Sequence, residues 1–466
     1  MTSTIKVNTI QNACGADIIK ESGNTITIGA SGDTVTLGTG ASQTGFGRTG
    51  TVNWCTTAKT SPLTVESGKG YFLNTTSGGI TVTLPSSPSA GDIVAFKDYA
   101  NKWDCNAVTI CRNGSNINGG AFNTCLSTES QSVTLIYVDG TKGWQDIHDS
   151  TSNVTGQPNF VSATGGTITT CGDFKVHTFT GDGSFVVTQG AVASNNKVSY
   201  LVVAGGGGSG SNHGGGGGAG GFREGKLSTD PYTASPKAAT PCSSLPVSTQ
   251  TYPITVGGGG NGATVPSPYA GATNGSPSTF STITSAGGGR GGTRHDGANP
   301  GYHNGSPGGS GGGTGGENGG ATAGSGNDPS ASPPQGNSGG AWTSPYFGGG
   351  GGGAGGAGSN ASGGAAGGIG AGTGINPASP VGTPGPSGPL RYFSGGGGAG
   401  NSPSTPTPNG GYGGGGAGYS SGCGPTRFQG GINTGGGGGA LYGCGLAACA
   451  TGIGGSGIVI IRYKFQ

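Results

Sequence analysis

Apolar and polar residues alternate with period two in short stretches across the first 204 positions, the pattern of strands that bury one face. Thr25 to Ile28 and Thr34 to Leu37 are the first such pair, separated by Gly-Ala-Ser-Gly-Asp. Gly79 to Leu84, Asp92 to Asp98, Ala107 to Cys111, Val133 to Val138 and Gly143 to Ile147 follow, with turn signals at Pro85-Ser-Ser-Pro, Asn113-Gly114 and Asp139-Gly140. No stretch holds an apolar stripe of 3.6-residue period for three turns. The predicted fold class is therefore all-β with little or no α-helix.

The most apolar runs are Phe174-Lys-Val-His-Thr-Phe, Gly183-Ser-Phe-Val-Val-Thr, Lys197-Val-Ser-Tyr-Leu-Val-Val-Ala and the terminal Gly457-Ile-Val-Ile-Ile-Arg-Tyr-Lys-Phe. Tyr200 to Val203 leads into the first glycine run and Ile458 to Tyr463 follows the last. These two strands are predicted to pair and clamp the base of a long insertion. Inside it, runs such as Gly214 to Gly218, Gly257 to Gly260, Gly348 to Gly353, Gly395 to Gly398 and Gly435 to Gly439 alternate with segments carrying Arg, His and aromatic residues.

Composition sharpens this division. Of 114 glycines, 19 lie in residues 1–150 and 95 in the remaining 316. Glycine loses the most backbone freedom on ordering, so a run either stays a flexible linker or recovers the loss through main-chain hydrogen bonds. Threefold helices of the polyproline II type have no internal hydrogen bonds. Side by side and without side chains, they can pair every N–H and C=O with neighbours. The insertion is predicted to be such a polyglycine II sandwich.

Only 8% of residues are charged and the net charge is +2, which gives no electrostatic footprint for nucleic acid or an anionic membrane. No apolar run reaches the roughly 20 residues that span a bilayer. The start, Met1-Thr-Ser-Thr-Ile-Lys-Val-Asn, has no signal-peptide pattern, so release by lysis is expected. The ten cysteines form no Cys-x-x-Cys, and no metal or cofactor is predicted. Pairs such as Cys105 with Cys111, or Cys444 with Cys449, are open as disulfides. Gly308-Gly-Ser-Gly-Gly312 fits a nucleophile elbow in letters but lacks the flanking strand and helix. The acidic residues show no pairing for glycoside hydrolysis, and no catalytic residues are assigned.

Ser3-Thr-Ile-Lys-Val-Asn-Thr-Ile-Gln-Asn, Asn24 to Leu37, the block from Gly70 to Tyr99 and Val138 to Trp144 resemble tail-fibre proteins of marine cyanobacterial phages. Tyr200-Leu-Val-Val-Ala-Gly-Gly-Gly-Gly with the terminal Gly-Ile-Val-Ile-Ile-Arg-Tyr is similar to glycine-rich domains of phage fibres. In composition it is also similar to the polyglycine-sandwich adhesins of T-even phages. The resemblance implies a virion-docking and trimeric β-stalk segment (1–50) and a β-sandwich or prism module (51–150). A strand frame (151–204) and closing strand (457–466) would then bracket a receptor-binding domain (205–456). It implies a homotrimeric tail fibre that joins phage tail or adaptor proteins through its N-terminus and a host-surface glycan or outer-membrane protein through its glycine-rich domain. The alternatives are a capsid or tail decoration protein and a polysaccharide-degrading tailspike.

Aromatic and Arg side chains anchor recognition surfaces because they cover much area with little entropy to lose. The candidates between glycine runs are Phe222, Arg223, Arg290, Arg294, His295, Tyr302, His303, Trp342, Tyr346, Phe347, Arg391, Tyr392, Phe393, Tyr412, Tyr419, Arg427 and Phe428. The competing role for the aromatics is to cover the glycine layers and supply apolar burial that glycine cannot.

Overall fold

The computed structural model describes residues 9–466 apart from 12, 14, 16, 23–24, 29–51, 152–159, 192–194, 240–242, 266–270, 295–301, 317–319, 344–346, 362–364, 378–380, 401–406, 420–427 and 444–448. The described residues form short strands in several sheets with no α-helix, so the fold class is all-β. Thr9–Gln11, Asp17–Ser22 and Thr25–Ile28 make a three-stranded antiparallel meander. Thr25–Ile28 thus finds its ladder partner within its own chain. The second stalk segment, Thr34 to Leu37, lies outside the described residues.

In the following module the chain steps between two sheets at each pass. Asn53–Lys59, Lys69–Leu73 and Ile93–Asp98 pair in parallel in one sheet, while Leu63–Thr64, Ile80–Thr83 and Val108–Cys111 pair in parallel in the other. Antiparallel strands complete each sheet: Ser132–Asp139 with Gly143–Asp149, and Thr124–Leu126. The Asp139-Gly140 signal falls in the turn of the hairpin. Alternate residues of both sheets meet in one core around Trp103, Trp144, Phe96, Leu73, Val82 and Ile110. Cys105 and Cys111 are free thiols, so that disulfide option is corrected.

The predicted clamp is present. Lys197–Val203 pairs antiparallel with Ile458–Lys464, Val203 opposite Ile458 and Ser199 opposite Arg462. These are the central strands of a sheet ordered Thr167–Cys171, Phe174–Phe179, Ile458–Lys464, Lys197–Val203, Phe222–Gly225. One face packs on a second sheet through Phe185, Tyr200, Tyr252, Phe280 and Tyr463, and the other, which carries Phe222, on Tyr232, Ile375 and Phe393. Burial on both faces is why these two strands read as continuous apolar runs rather than alternating ones. Arg462 is the exception, held by the buried Asp230 carboxylate (Nε–Oδ1 2.9 Å) and stacked over Phe174 at 4.4 Å.

The second sheet takes Ser162–Thr164 and Gly183–Gln189 from the predicted frame, but Gln250–Thr255, Ser278–Phe280 and Ile283–Ser285 from inside the insertion. The frame is therefore broader than residues 151–204 and 457–466, and the segment 205–456 is not polyglycine II throughout.

The glycine runs pair with a period of three. Along Gly215 to Gly221, the N–H groups of Gly215, Gly218 and Gly221 donate to Gly292, Gly289 and Ala286. Those of Gly216 and Ala219 donate to Gly349 and Gly352, and those of Gly217 and Gly220 to Gly438 and Gly435. Three further runs donate to the same segment: Gly207 to Gly218 O, Gly313 to Gly216 O and Gly397 to Gly217 O. This one run is surrounded by six neighbours, the packing expected of threefold helices that bond only sideways. Within the described glycine runs, φ is positive only at Gly413, Gly414 and Gly435, so the helices share the hand that L-residues also adopt.

That hand explains how Ser209 and Ala219 are accommodated, and the spacing explains why most positions are glycine. A Cβ built on Gly215, Gly216, Gly217, Gly351 or Gly397 would lie closer than 3.0 Å to a carbonyl oxygen of a neighbouring run. At Gly258 nothing lies within 4 Å. Gly217→Ala is expected to destabilise by about 1–3 kcal/mol or more, because the backbone lattice must part to admit a methyl group. Gly258→Ala is expected to be neutral or to stabilise by up to about 1 kcal/mol by restricting the unfolded chain. Thermal melts of the two variants check this, and equal effects would count against close lateral packing.

Candidate recognition surface at the distal end of the bundle

Connectivity fixes which loops meet. Runs leave the frame after Val203, Ser285 and Phe393, and runs return to it at Phe222 and Ile458. The described turn residues at 211–213, 294, 302–304 and 441–443 consequently lie at the end remote from the frame. Trp342 and Phe347 join them, since the run beginning at Gly348 starts beside Gly214. Tyr419 does too, through a bridge to Leu441.

The distal turns are bonded to one another around Ser211-Asn212-His213. Asn212 and His213 have φ of 50° and 63°, a left-handed turn that Asn and His enter more readily than most residues. His213 N–H donates to Tyr442 O at 2.7 Å, its carbonyl accepts Gly316 N–H at 2.9 Å, and Arg294 N–H reaches Ser211 O at 3.3 Å. The His213 and Tyr442 rings meet edge to face at 4.2 Å. Beside them Arg290 lies over the Tyr302 ring at 5.3 Å and donates to Asn304 O, leaving Tyr302 37% exposed. The result is a surface of half-buried arginines and aromatics whose backbones are fixed.

The predicted residues divide. Arg290, Arg294, Tyr302, Trp342, Phe347 and Tyr419 reach the distal part with at least partial exposure. His303 and Phe428 are there but buried, Phe428 packing on Leu441 and Tyr419. Phe222, Arg223, Arg391, Tyr392, Phe393 and Tyr412 sit at the frame end instead. Phe222 and Phe393 are core residues, Tyr392 is buried, and Arg391 donates to the carbonyls of Val381 and Gly382. For Phe222, Tyr392, Phe393 and Phe428 the expected contact role is corrected to packing, because their rings supply apolar burial that glycine lacks, and for His303 it is corrected because the side chain is buried. His295, Tyr346 and Arg427 lie outside the described residues. His213 and Tyr442 were not singled out from sequence, although each interrupts a glycine run. Among the described residues, no group of three His, Cys, Asp or Glu is placed to hold a metal, and no helix is long and apolar enough to cross a membrane.

Frame strands, threefold runs and returning closing strand together span one unit, and residues 179–464 match a family described as a glycine-rich domain. The chain belongs to this glycine-rich domain family. No curated protein matches the chain. The match begins at Phe179 and ends at Lys464, so the glycine-rich domain includes the clamp strands as well as the runs they enclose.

Burial, reinforced by the Arg294 charge and partly opposed by the Asn212 carbonyl, lowers the His213 imidazole to about 4 from an ordinary 6.5. The folded state therefore holds it neutral while the unfolded chain takes up a proton below about 6.5. Its contribution to stability is full above pH 6.5 and falls away as pH drops toward 4. The protection of amides at residues 211–214, taken relative to the intrinsic exchange rate at each pH, is expected to fall as pH drops across that window, and His213→Asn to remove the dependence. An NMR titration of the imidazole with a midpoint near 6.5 would contradict this.

Proposed function

We propose that this chain is a structural tail fibre of a phage, with the glycine-rich domain as its host-binding tip. The observation that carries the reading is the gathering of run-connecting loops at the end of the bundle remote from the frame, on a core held by main-chain groups. Side chains in those loops can change without altering the hydrogen bonds that hold the runs, which suits recognition of a variable surface. The resemblance of the first third of the chain to cyanobacterial phage tail fibres supplies the biological setting. In this reading residues 1–50 dock to tail or adaptor proteins, the chain assembles as a homotrimer, and the mechanism is shape and hydrogen-bond recognition without catalysis. The receptor is a glycan or outer-membrane protein, and the protein travels as part of the virion after lysis.

A decoration protein would not need partly exposed Arg and aromatic groups brought together on its distal loops. Competition by the purified chain for phage adsorption to marine cyanobacterial cells tests the proposal. Arg294→Ala and Trp342→Ala are expected to weaken competition about tenfold each, and Tyr412→Ala, at the frame end, to leave it unchanged. Equal behaviour of the three variants, or no competition by the parent chain, would argue for the decoration role.

A further inference from the structure

Beside the frame, away from the distal loops, a cleft of about 480 Å³ is lined by Arg223, Pro277, Thr282, Thr284, Ser330 and Gln335. Arg223 lies on the edge strand Phe222–Gly225, paired with Val202. Its neighbours Phe222 and Glu224 face the opposite layer, where Glu224 accepts from Ser235 N–H at 2.9 Å and Thr373 Oγ1–H at 2.6 Å. The adjacent carboxylate is thus committed elsewhere. The half-buried Arg223 guanidinium makes no hydrogen bond or ion pair with any described residue. A cation removed from part of its water and given no counter-charge favours an anionic ligand.

The cleft is preformed without help from that arginine. Gln335 is buried, and its Oε1 accepts Ala286 N–H at 2.8 Å while its Nε2 donates to Pro329 O at 2.8 Å. Its carbonyl accepts Phe222 N–H at 2.9 Å. Asn327 Oδ1 accepts from Ala331 N–H at 3.0 Å and Gln335 N–H at 3.1 Å, closing the loop that forms one wall. Rigid walls lessen the ordering that a ligand must impose.

We infer that this cleft binds a carboxylate-bearing sugar, a hexuronate unit of a surface polysaccharide. The guanidinium matches a carboxylate with two parallel hydrogen bonds. The exposed hydroxyls of Thr282, Thr284 and Ser330, engaged with no described residue, are available to ring hydroxyls. The rings of Pro277 and Pro329 offer apolar faces to the C–H side of a pyranose. An extended peptide fits less well, because the nearby Phe222 and Ala286 N–H groups are already bonded to Gln335. The inference rests on the recognition reading above and adds a second, glycan-specific contact to it.

Calorimetric titration of the full chain with tetragalacturonate tests it, with maltotetraose and tetraglutamate as probes for neutral sugar and acidic peptide. Saturable binding of tetragalacturonate alone is expected, about tenfold to about a hundredfold weaker in Arg223→Gln. Thr284→Val, which leaves the charge in place, is expected to weaken it several-fold. Unaltered thermal melting of both variants shows that the fold is kept. Absence of tetragalacturonate binding, affinity unchanged by Arg223→Gln and Thr284→Val, or tetraglutamate binding as tightly would each overturn the inference. If Arg223-dependent binding holds while distal variants compete normally for adsorption, the tip assignment fails and the cleft stands. Normal loss of competition in distal variants without uronate binding has the opposite meaning.

Discussion

Sideways hydrogen bonding between glycine runs is the constraint on which the distal architecture depends. A threefold helix turns successive N–H groups toward three neighbours, as Gly215, Gly216 and Gly217 do toward Gly292, Gly349 and Gly438. Each bond contributes a net of about 0.5–1.5 kcal/mol, while fixing each residue costs about 1–2 kcal/mol of backbone entropy. The lattice is therefore near balance alone, and the apolar layers of the frame tip it toward order. Strand and run are continuous at Val203–Ala204, Gly221–Phe222, Ser285–Ala286, Phe393–Ser394 and Gly457–Ile458, so the strand register sets the register of the runs.

This arrangement separates what holds the domain from what it presents. Within the glycine runs the buried groups are mostly main-chain atoms and a few small side chains, such as Ser209, whose hydroxyl donates to Gly439 O at 2.7 Å. Large aromatic and charged groups lie in the apolar layers of the frame or at the loops, outside the glycine lattice itself. The distal loops and the Arg223 cleft lie at opposite ends of the same runs, so a change at one leaves the hydrogen bonding of the other intact.

Much of this plan was legible in the sequence. Two apolar strands flanking the insertion could do little but pair, and runs too long and too uncharged for an ordinary linker implied a main-chain core. Other features were hidden for physical reasons. Gln250–Thr255 contains Pro253 and so does not read as a sheet strand, yet it joins the second layer of the frame. The parallel winding of the first module depends on crossovers that alternation alone does not reveal. Phe222 and Arg391-Tyr392-Phe393 look like loop residues because glycine surrounds them, but they follow or precede runs at the frame end. Whether a loop is distal depends on whether its run leaves or returns, and composition carries no sign of that. The hub at His213 and the Gln335 brace are single residues among glycines, recognisable only once their partners are known.

Amide hydrogen exchange along Gly214 to Gly221 tests the central claim most directly. The lattice predicts protection there comparable to that of the clamp strand Lys197–Val203, since in both the main chain is bonded to neighbouring segments on more than one side. Exchange in that run at the rate of an unfolded peptide, with the clamp strand still protected, would contradict it.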